Sequence, residues 1–138
     1  MTAYERWLRI VLRVGGAAAC LAIVAVVAPQ EWLALCHQRL GLGQFPDQPV
    51  ATYLARSLSG LYAFFGGLCL LVSFDVRRHA PTITYIGAAH VVFGPAIAVI
   101  DLTAGMPTWW AWAEALSAAL FGLAILLLQY QAKPALEA

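Results

Sequence analysis

Residues 53–74 read YLARSLSGLYAFFGGLCLLVSF, and residues 75–81, which follow them, read DVRRHAP. The longer stretch contains one charged residue, Arg56, and it ends at an aspartate and two nearby arginines. The hydrocarbon core of a bilayer is about 30 Å thick, and a helix needs about 20 mostly apolar residues to cross it. Residues 53–74 are therefore predicted to form a transmembrane helix that ends at the charged turn.

Three other stretches of the chain have a similar length and apolar character. Within lipid every backbone polar group needs an internal hydrogen bond, so only helices and closed β-barrels span a membrane. Barrel strands alternate in polarity over about 10 residues, whereas these stretches are longer and uniformly apolar. The predicted fold class is all-α, an integral membrane four-helix bundle in which residues 1–138 form a single transmembrane domain. The predicted spans are 10–28, 53–74, 82–102 and 110–130.

The composition of the whole chain agrees with this prediction. Of 138 residues, 62% are apolar and 11% are charged, and the mean hydropathy is +0.78. A soluble domain has about 25% charged residues, and large exposed apolar patches on a soluble protein promote aggregation. The three cysteines form no CxxC pair and are odd in number, so a disulfide framework is not expected. A net charge of +1 gives no reason to expect a nucleic-acid partner.

The basic residues near the span ends predict the orientation, because cytoplasmic loops carry an excess of Lys and Arg. With the N-terminus inside, six basic residues lie on the inner side and two on the outer side, which predicts that both termini are cytoplasmic. Arginines before an apolar run also fit a cleaved signal peptide, so that alternative stays open for the first span. The inner residues are Arg6, Arg9, Arg13, Arg77, Arg78 and Lys133, and the outer ones are Arg39 and Arg56.

The long connection between the first two spans is predicted to contain a helix of its own. Over residues 30–40, apolar side chains such as Trp32 and Leu35 are interspersed with polar ones such as Glu31 and Arg39. This pattern is typical of an amphipathic helix that lies on a membrane surface. We therefore expect an interfacial helix over residues 30–40 on the outer side.

Three charged residues are predicted to lie at a similar depth near the outer ends of the spans: Arg56, Asp101 and Glu114. Because a charge inside the bilayer is costly, we expect an ion pair or triad among them. Helical spacing also places small residues beneath each charge, and small residues allow helix backbones to approach closely. These are Ala63 and Gly67 beneath Arg56, Ala98 and Gly94 beneath Asp101, and Ala118 and Gly122 beneath Glu114.

His90 is predicted to lie near the middle of the third span. It can be a neutral imidazole bonded to a neighbouring helix, a proton relay or substrate contact, or a haem or metal ligand. Haem would require a second axial ligand, for which His37 is the candidate, but His37 is expected on the outer surface, at the wrong depth. We therefore predict no cofactor and no metal site.

His37 and Glu31, in the outer connection, are expected to close over the same end of the bundle. Acids, a base and a histidine can perform general acid–base chemistry, but the sequence contains no HExxH, GxSxG or glycine-rich phosphate loop. The sequence therefore identifies no catalytic residue. The candidate binding cluster consists of Arg56, His90, Asp101, Glu114, His37 and Glu31.

Three motifs also support a resemblance: YLARSLSGLYAFFGG at 53–67, DVRRHAP at 75–81, and DLTAGMPTWW at 101–110 with Glu114 downstream. Together they resemble small four-helix inner-membrane proteins of bacteria. The resemblance covers most of the chain and implies a multi-pass protein of the bacterial inner membrane. It implies no activity, because that family has none to transfer.

Three classes of function are compatible with these features. The first is a structural or accessory membrane protein, or a subunit of a membrane complex. The second is a bundle that binds or transports a small ligand or lipid at a polar site near the outer face. The third is a membrane enzyme that acts on a lipid or quinone-like substrate. The expected partners are the lipid bilayer and either other membrane subunits or further copies of the chain.

Overall fold

The structure, a computed structural model, describes residues 2–136 and the side chains of residues 2–132. Lys133, assigned from the sequence to the inner basic group, lies outside the described side chains. Residues 2–136 form helices joined by short connections and contain no β-strand, which confirms the all-α prediction. The helices are α1 (Ala3–Cys20), α2 (Ile23–Val27), α3 (Gln30–Arg39), α4 (Pro49–Phe74), α5 (Ala80–Thr103) and α6 (Thr108–Leu136).

Within the described residues, four helical stretches are long and apolar enough to cross a membrane. The first combines α1 and α2, which are separated by a short turn at residues 21–22. Each stretch contains most or all of one predicted span, and the largest difference is at the N-terminus, where the helix begins seven residues before position 10. The four stretches are Ala3–Val27, Pro49–Phe74, Ala80–Thr103 and Thr108–Ala132.

The early start of α1 has a local cause in the sequence Thr2-Ala3-Tyr4-Glu5. The Thr2 hydroxyl accepts a hydrogen bond from the Glu5 backbone N–H (3.2 Å), and the Glu5 carboxylate accepts one from the Thr2 N–H (2.8 Å). This reciprocal arrangement is a capping box, which satisfies backbone donors that have no partner within the helix. The hydropathy pattern locates the apolar part of the helix, whereas the capping residues determine where the helix begins.

The prediction of a helix over residues 30–40 is confirmed, since α3 covers Gln30–Arg39. Two glycines shortly after the end of α3 adopt positive φ angles, Gly41 at 71° and Gly43 at 85°. The left-handed region is accessible to glycine without a steric penalty. The chain therefore leaves α3 by a turn that a side chain at either position would strain.

The chain divides into two compact units. The terminal unit comprises Met1–Gly15 and Cys69–Ala138, and the middle unit comprises Gly16–Leu68. In the terminal unit, α5 and α6 form an antiparallel pair joined by residues 104–107. In the middle unit, the end of α1 packs against α4, where a Cβ on Gly66 would lie 2.7 Å from the backbone nitrogen of Cys20.

Candidate functional site

The six residues of the candidate cluster divide between the two units. His90, Asp101 and Glu114 belong to the terminal unit, on α5 and α6. Arg56, His37 and Glu31 belong to the middle unit, on α4 and α3. The pairing of Arg56 with Asp101 or Glu114 therefore stays a prediction.

His90 lies half-buried on the face of α5 that contacts α6. Its Nδ1 donates to the Ile86 carbonyl one turn earlier (2.9 Å), because a carbonyl can only accept. Its ring packs edge-on against Phe121 with the ring centroids 5.2 Å apart. On the α6 side, a Cβ on Gly122 would lie 2.8 Å from the His90 Cβ. The imidazole is thus positioned by its own helix and by close helix packing.

Glu114 is also half-buried, and its carboxylate accepts a hydrogen bond from the indole N–H of Trp110, one turn earlier on α6 (2.9 Å). The Trp110 ring in turn packs edge-on against Trp109. Indole side chains are enriched at the boundary between lipid and water, where the apolar ring and polar N–H face different surroundings. The Glu114 carboxylate therefore stabilises the orientation of an aromatic residue at the start of α6.

Asp101 is the one member of the candidate cluster that is buried as a whole residue, and it is incompletely bonded. Its exposed fraction is 7%, and its Oδ2 has no hydrogen-bond partner among the described residues. Gly94 packs beside Ala115 and Ala119, so the antiparallel register places Asp101 near the first turn of α6. Buried polar atoms are usually bonded, so this carboxylate oxygen is an exception to that rule within the candidate cluster.

The predicted role of small residues is confirmed for the pair of helices α5 and α6. A Cβ on Gly94 would lie 2.8 Å from the Ala115 carbonyl oxygen, and a Cβ on Gly122 would lie 2.5 Å from the Gly87 carbonyl oxygen. These distances are shorter than a carbon–oxygen contact allows, so only glycine permits the two backbones to approach this closely.

The same prediction is wrong for Gly67 on α4. No atom among the described residues lies within 4 Å of a Cβ built on Gly67, whereas one on its neighbour Gly66 would meet the Gly16 carbonyl oxygen at 2.5 Å. A step of one residue rotates a helical position by about 100°. Gly66, rather than Gly67, therefore faces the packed side of α4.

Arg56 is half-buried in the middle unit, and one terminal guanidinium nitrogen, Nη2, donates to the Ala28 carbonyl (3.0 Å). Ala28 is the residue that caps the C-terminus of α2. A cation at this end of a helix interacts favourably with unpaired carbonyls and with the helix dipole. Arg56 Nε, in contrast, is buried without a hydrogen-bond partner in the described part of the chain.

His37 and Glu31 lie on different sides of α3. His37 Nδ1 donates to the Gly43 carbonyl (3.1 Å), and its ring packs edge-on against Phe45, so His37 fixes the loop that follows α3. Glu31 is exposed and lines an open depression of about 480 Å³ together with Gln38 and Asp47. The depression opens to the surroundings and contains two carboxylates and no basic residue.

Sequence reasoning missed a second set of polar contacts in the terminal unit. Glu5 is 1% exposed and accepts a charged hydrogen bond from Arg77 Nε at 2.8 Å. Arg13 Nε donates to the Ser73 hydroxyl at 3.3 Å. The Thr-x-x-Glu pattern at residues 2–5 was the available signal for Glu5, because it marks a helix start that can carry a buried carboxylate.

Gln129 on α6 is a further buried polar residue that the sequence reasoning did not single out. Its side-chain N–H donates to the Ala80 carbonyl (2.6 Å), and its carbonyl oxygen accepts from the Thr84 hydroxyl (3.1 Å). These bonds join the last third of α6 to the start of α5.

The contacts that these groups make among the described residues are hydrogen bonds, one ion pair and ring packing. Within residues 2–132, whose side chains are described, no three His, Cys, Asp or Glu side chains come together as metal ligands would. Comparison of the chain with protein-family models, with curated proteins and with solved structures finds no match in any of the three.

Proposed function

We propose that this chain is a structural or accessory subunit of a membrane complex. The observation that carries the proposal is the close packing of α5 and α6, in which Gly94 and Gly122 bring the backbones into contact. His90 lies within this packed contact and donates to its own helix. The His90 side chain, which would have to face a ligand in a binding site, is thus engaged in helix packing.

The proposed location is the inner membrane of a bacterium, as a four-helix bundle with both termini in the cytoplasm. Support comes from the four apolar helical stretches and from the excess of basic residues on the side assigned to the cytoplasm. Large apolar side chains are exposed on all four stretches, for example Val14, Phe64, Val92 and Leu120. Lipid and either other subunits or a second copy of the chain would cover these surfaces, and no nucleic acid is involved.

The proposal is tested by the mass of the particle that contains the chain. The chain is produced at its natural level, extracted with its surrounding lipid by an amphipathic copolymer, purified and measured by native mass spectrometry. We expect a particle that contains other polypeptides in a fixed ratio to this chain. A particle that contains one copy of the chain and lipid alone would contradict the proposal.

Two variants separate packing from chemistry in the same measurement. Gly94→Val should lower the yield of the particle, because the added side chain meets the α6 backbone. His90→Gln retains a donor for the Ile86 carbonyl and should leave the particle intact. If His90→Gln abolished a cellular function while the particle and its thermal stability were unchanged, a ligand or catalytic role would replace the structural one.

A small-ligand site near the outer face is the second candidate function, and Asp101 is the observation that favours it. Its carboxylate is buried and lacks a hydrogen-bond partner for Oδ2 in the described part of the chain. Asp101→Asn removes the charge with little change of shape. A structural role predicts equal or higher thermal stability for this variant, whereas a binding role predicts that stabilisation by a cationic ligand is lost.

A further inference from the structure

The terminal unit contains a row of charged residues along one face of α1. Glu5, Arg9 and Arg13 are spaced four residues apart, so they lie one above another on the helix. Glu5 bonds to Arg77, and Arg13 bonds to Ser73. Glu5 thus contacts Arg77 in the connection between α4 and α5, and Arg13 contacts Ser73 at the end of α4. Arg9 lies between Glu5 and Arg13 on the same face of α1.

The charge on this face is not balanced by the acids beside it. Glu5 is engaged by Arg77, and the Asp75 carboxylate accepts a hydrogen bond from the backbone N–H of Arg78. Among the described side chains of this region there are five arginines and two carboxylates, so positive charge is in local excess. The five are Arg6, Arg9, Arg13, Arg77 and Arg78.

Arg9 has a guanidinium donor without a partner among the described residues, and Arg13 is held by two contacts that use only one of its donors. Arg9 Nε is buried and has no hydrogen-bond partner among the described residues. The Arg13 guanidinium lies over the Phe74 ring, 5.6 Å from its centroid, and one of its donors is used by Ser73. A guanidinium carries five N–H donors in a fixed planar arrangement that matches the oxygens of a phosphate.

The surroundings of the arginines are apolar on the side toward the bilayer centre. Val14, Leu71 and Phe74 are exposed there, with exposed fractions of 65%, 59% and 69%. A ligand that binds both the arginines and these apolar side chains has an anionic head group and hydrocarbon chains. Basic pockets at the cytoplasmic ends of transmembrane helices recognise anionic lipid head groups in this way.

We infer that Arg9 and Arg13, with the segment Ser73–Arg78, bind the phosphate of an anionic phospholipid whose acyl chains lie over Val14 and Leu71. The inference rests on the membrane insertion of the chain and is independent of whether the chain is an accessory subunit. It concerns the inner end of the helices, whereas the candidate cluster was predicted at the outer end. Arg6 and Arg78, which are exposed, add to the attraction without having to contact the phosphate.

The test measures lipid binding to the purified full chain by native mass spectrometry, together with the midpoint of thermal unfolding. Phosphatidylglycerol, phosphatidylcholine and inorganic phosphate are added separately to the protein in a neutral detergent. We expect phosphatidylglycerol to bind and to raise the unfolding midpoint, with little effect of the other two. Equal stabilisation by inorganic phosphate would show that the site takes free phosphate and would overturn the lipid assignment.

The variant that tests the site is Arg9→Gln. It removes no internal hydrogen bond at Nε, so the protein should fold, as circular dichroism and gel filtration will verify. The affinity for phosphatidylglycerol should fall about tenfold or more, which corresponds to the loss of one charged hydrogen bond. Arg9→Lys should restore part of the affinity, because it retains the charge but not the planar arrangement of donors.

Arg39→Gln is the matched control, since it removes one arginine that is exposed on α3 in the middle unit. It should leave the affinity for phosphatidylglycerol unchanged. If Arg39→Gln weakened binding as much as Arg9→Gln, the attraction would be a general effect of net charge and the site would be refuted. Unchanged binding by Arg9→Gln would also refute it. The particle mass described above is measured separately, so failure of the subunit proposal is recognised independently.

Discussion

At the scale of single residues, Glu5 makes two different kinds of bond. Its carboxylate completes the capping box with Thr2 and also accepts the charged hydrogen bond from Arg77. The carboxylate is almost fully buried, whereas the Arg77 side chain is 49% exposed. Substitution can separate these two contributions. Glutamine at position 5 can still accept the capping hydrogen bond from Thr2, but it carries no charge to pair with Arg77.

We predict that Glu5→Gln destabilises the protein less than Glu5→Ala. The difference should be about 1 kcal/mol, the usual contribution of a helix N-terminal cap. Arg77→Ala should cost less than the roughly 3–5 kcal/mol found when a fully buried pair is broken, because water reaches the half-exposed arginine. Thermal unfolding in detergent measures all three variants. Equal loss in the two Glu5 variants would show that the cap contributes nothing.

Arg56 provides a second prediction at this scale. Arg56→Ala should destabilise the protein by about 1.5–3 kcal/mol, the range for a hydrogen bond to a charged group, because it removes the bond to the Ala28 carbonyl. Arg39→Ala, at an exposed position, should change stability by no more than about 0.5 kcal/mol. Thermal unfolding compares the two, and a similar effect at both positions would contradict a structural role for Arg56.

The predicted pairing of Arg56 with an acid is tested by a double-mutant cycle. Arg56→Met and Glu114→Gln are measured singly and together, and an interaction between the side chains appears as non-additive changes in stability. Recovery of stability in the double variant would support a pair. Strict additivity would mean that the two residues stabilise the protein independently.

At the scale of the helices, glycine has opposite effects at two positions. Gly122 permits α6 to contact α5, since a Cβ there would meet the Gly87 carbonyl oxygen and the Val91 backbone nitrogen. Gly67 faces open space and permits no such contact. In a helix that is not packed at that point, glycine is less favourable than alanine.

We therefore predict opposite signs for two identical substitutions. Gly122→Ala should destabilise the protein by about 1–3 kcal/mol through overpacking. Gly67→Ala should be neutral or stabilise it by up to about 1 kcal/mol through helix propensity. The unfolding midpoints of the two variants in the same detergent provide the comparison. Destabilisation by Gly67→Ala of the same size would mean that a surface not seen in the single chain packs against Gly67.

At the scale of the whole molecule, the native cysteines offer a test of orientation. Cys36 is exposed on α3, whereas Cys20 is half-buried and Cys69 is buried. If both termini are cytoplasmic, α3 lies on the outer side, as the distribution of arginines predicts. A maleimide that does not cross membranes should label the protein in intact spheroplasts, and Cys36→Ser should abolish that labelling.

A cysteine at the opposite end provides the control for this experiment. Asp75 is exposed in the turn between α4 and α5, so Asp75→Cys in the Cys36→Ser background should be labelled only after the spheroplasts are lysed. Labelling of Asp75→Cys in intact spheroplasts, with none at Cys36, would invert the predicted topology. It would also place the proposed lipid site in the outer leaflet.

The sequence by itself determined the helical elements of this protein. Runs of about 20 apolar residues bounded by charges and prolines allow few alternatives, because backbone groups in lipid must be bonded within the helix. The polar and apolar alternation predicted α3 in the same way. Helical spacing also identified Gly94 and Gly122 as members of a small, closely packed face.

Only the tertiary structure decided which faces and which charges meet. Adjacent residues of a helix differ by a rotation of about 100° around its axis. Sequence spacing could not resolve that difference, so it predicted Gly67 on the packed face of α4, where the structure has Gly66. Arg77 and Glu5 are 72 residues apart, and no local pattern indicates which of five arginines approaches the carboxylate. Local hydrogen bonds and apolar composition fix the helices, whereas distant side chains are paired by the packing of one helix against another.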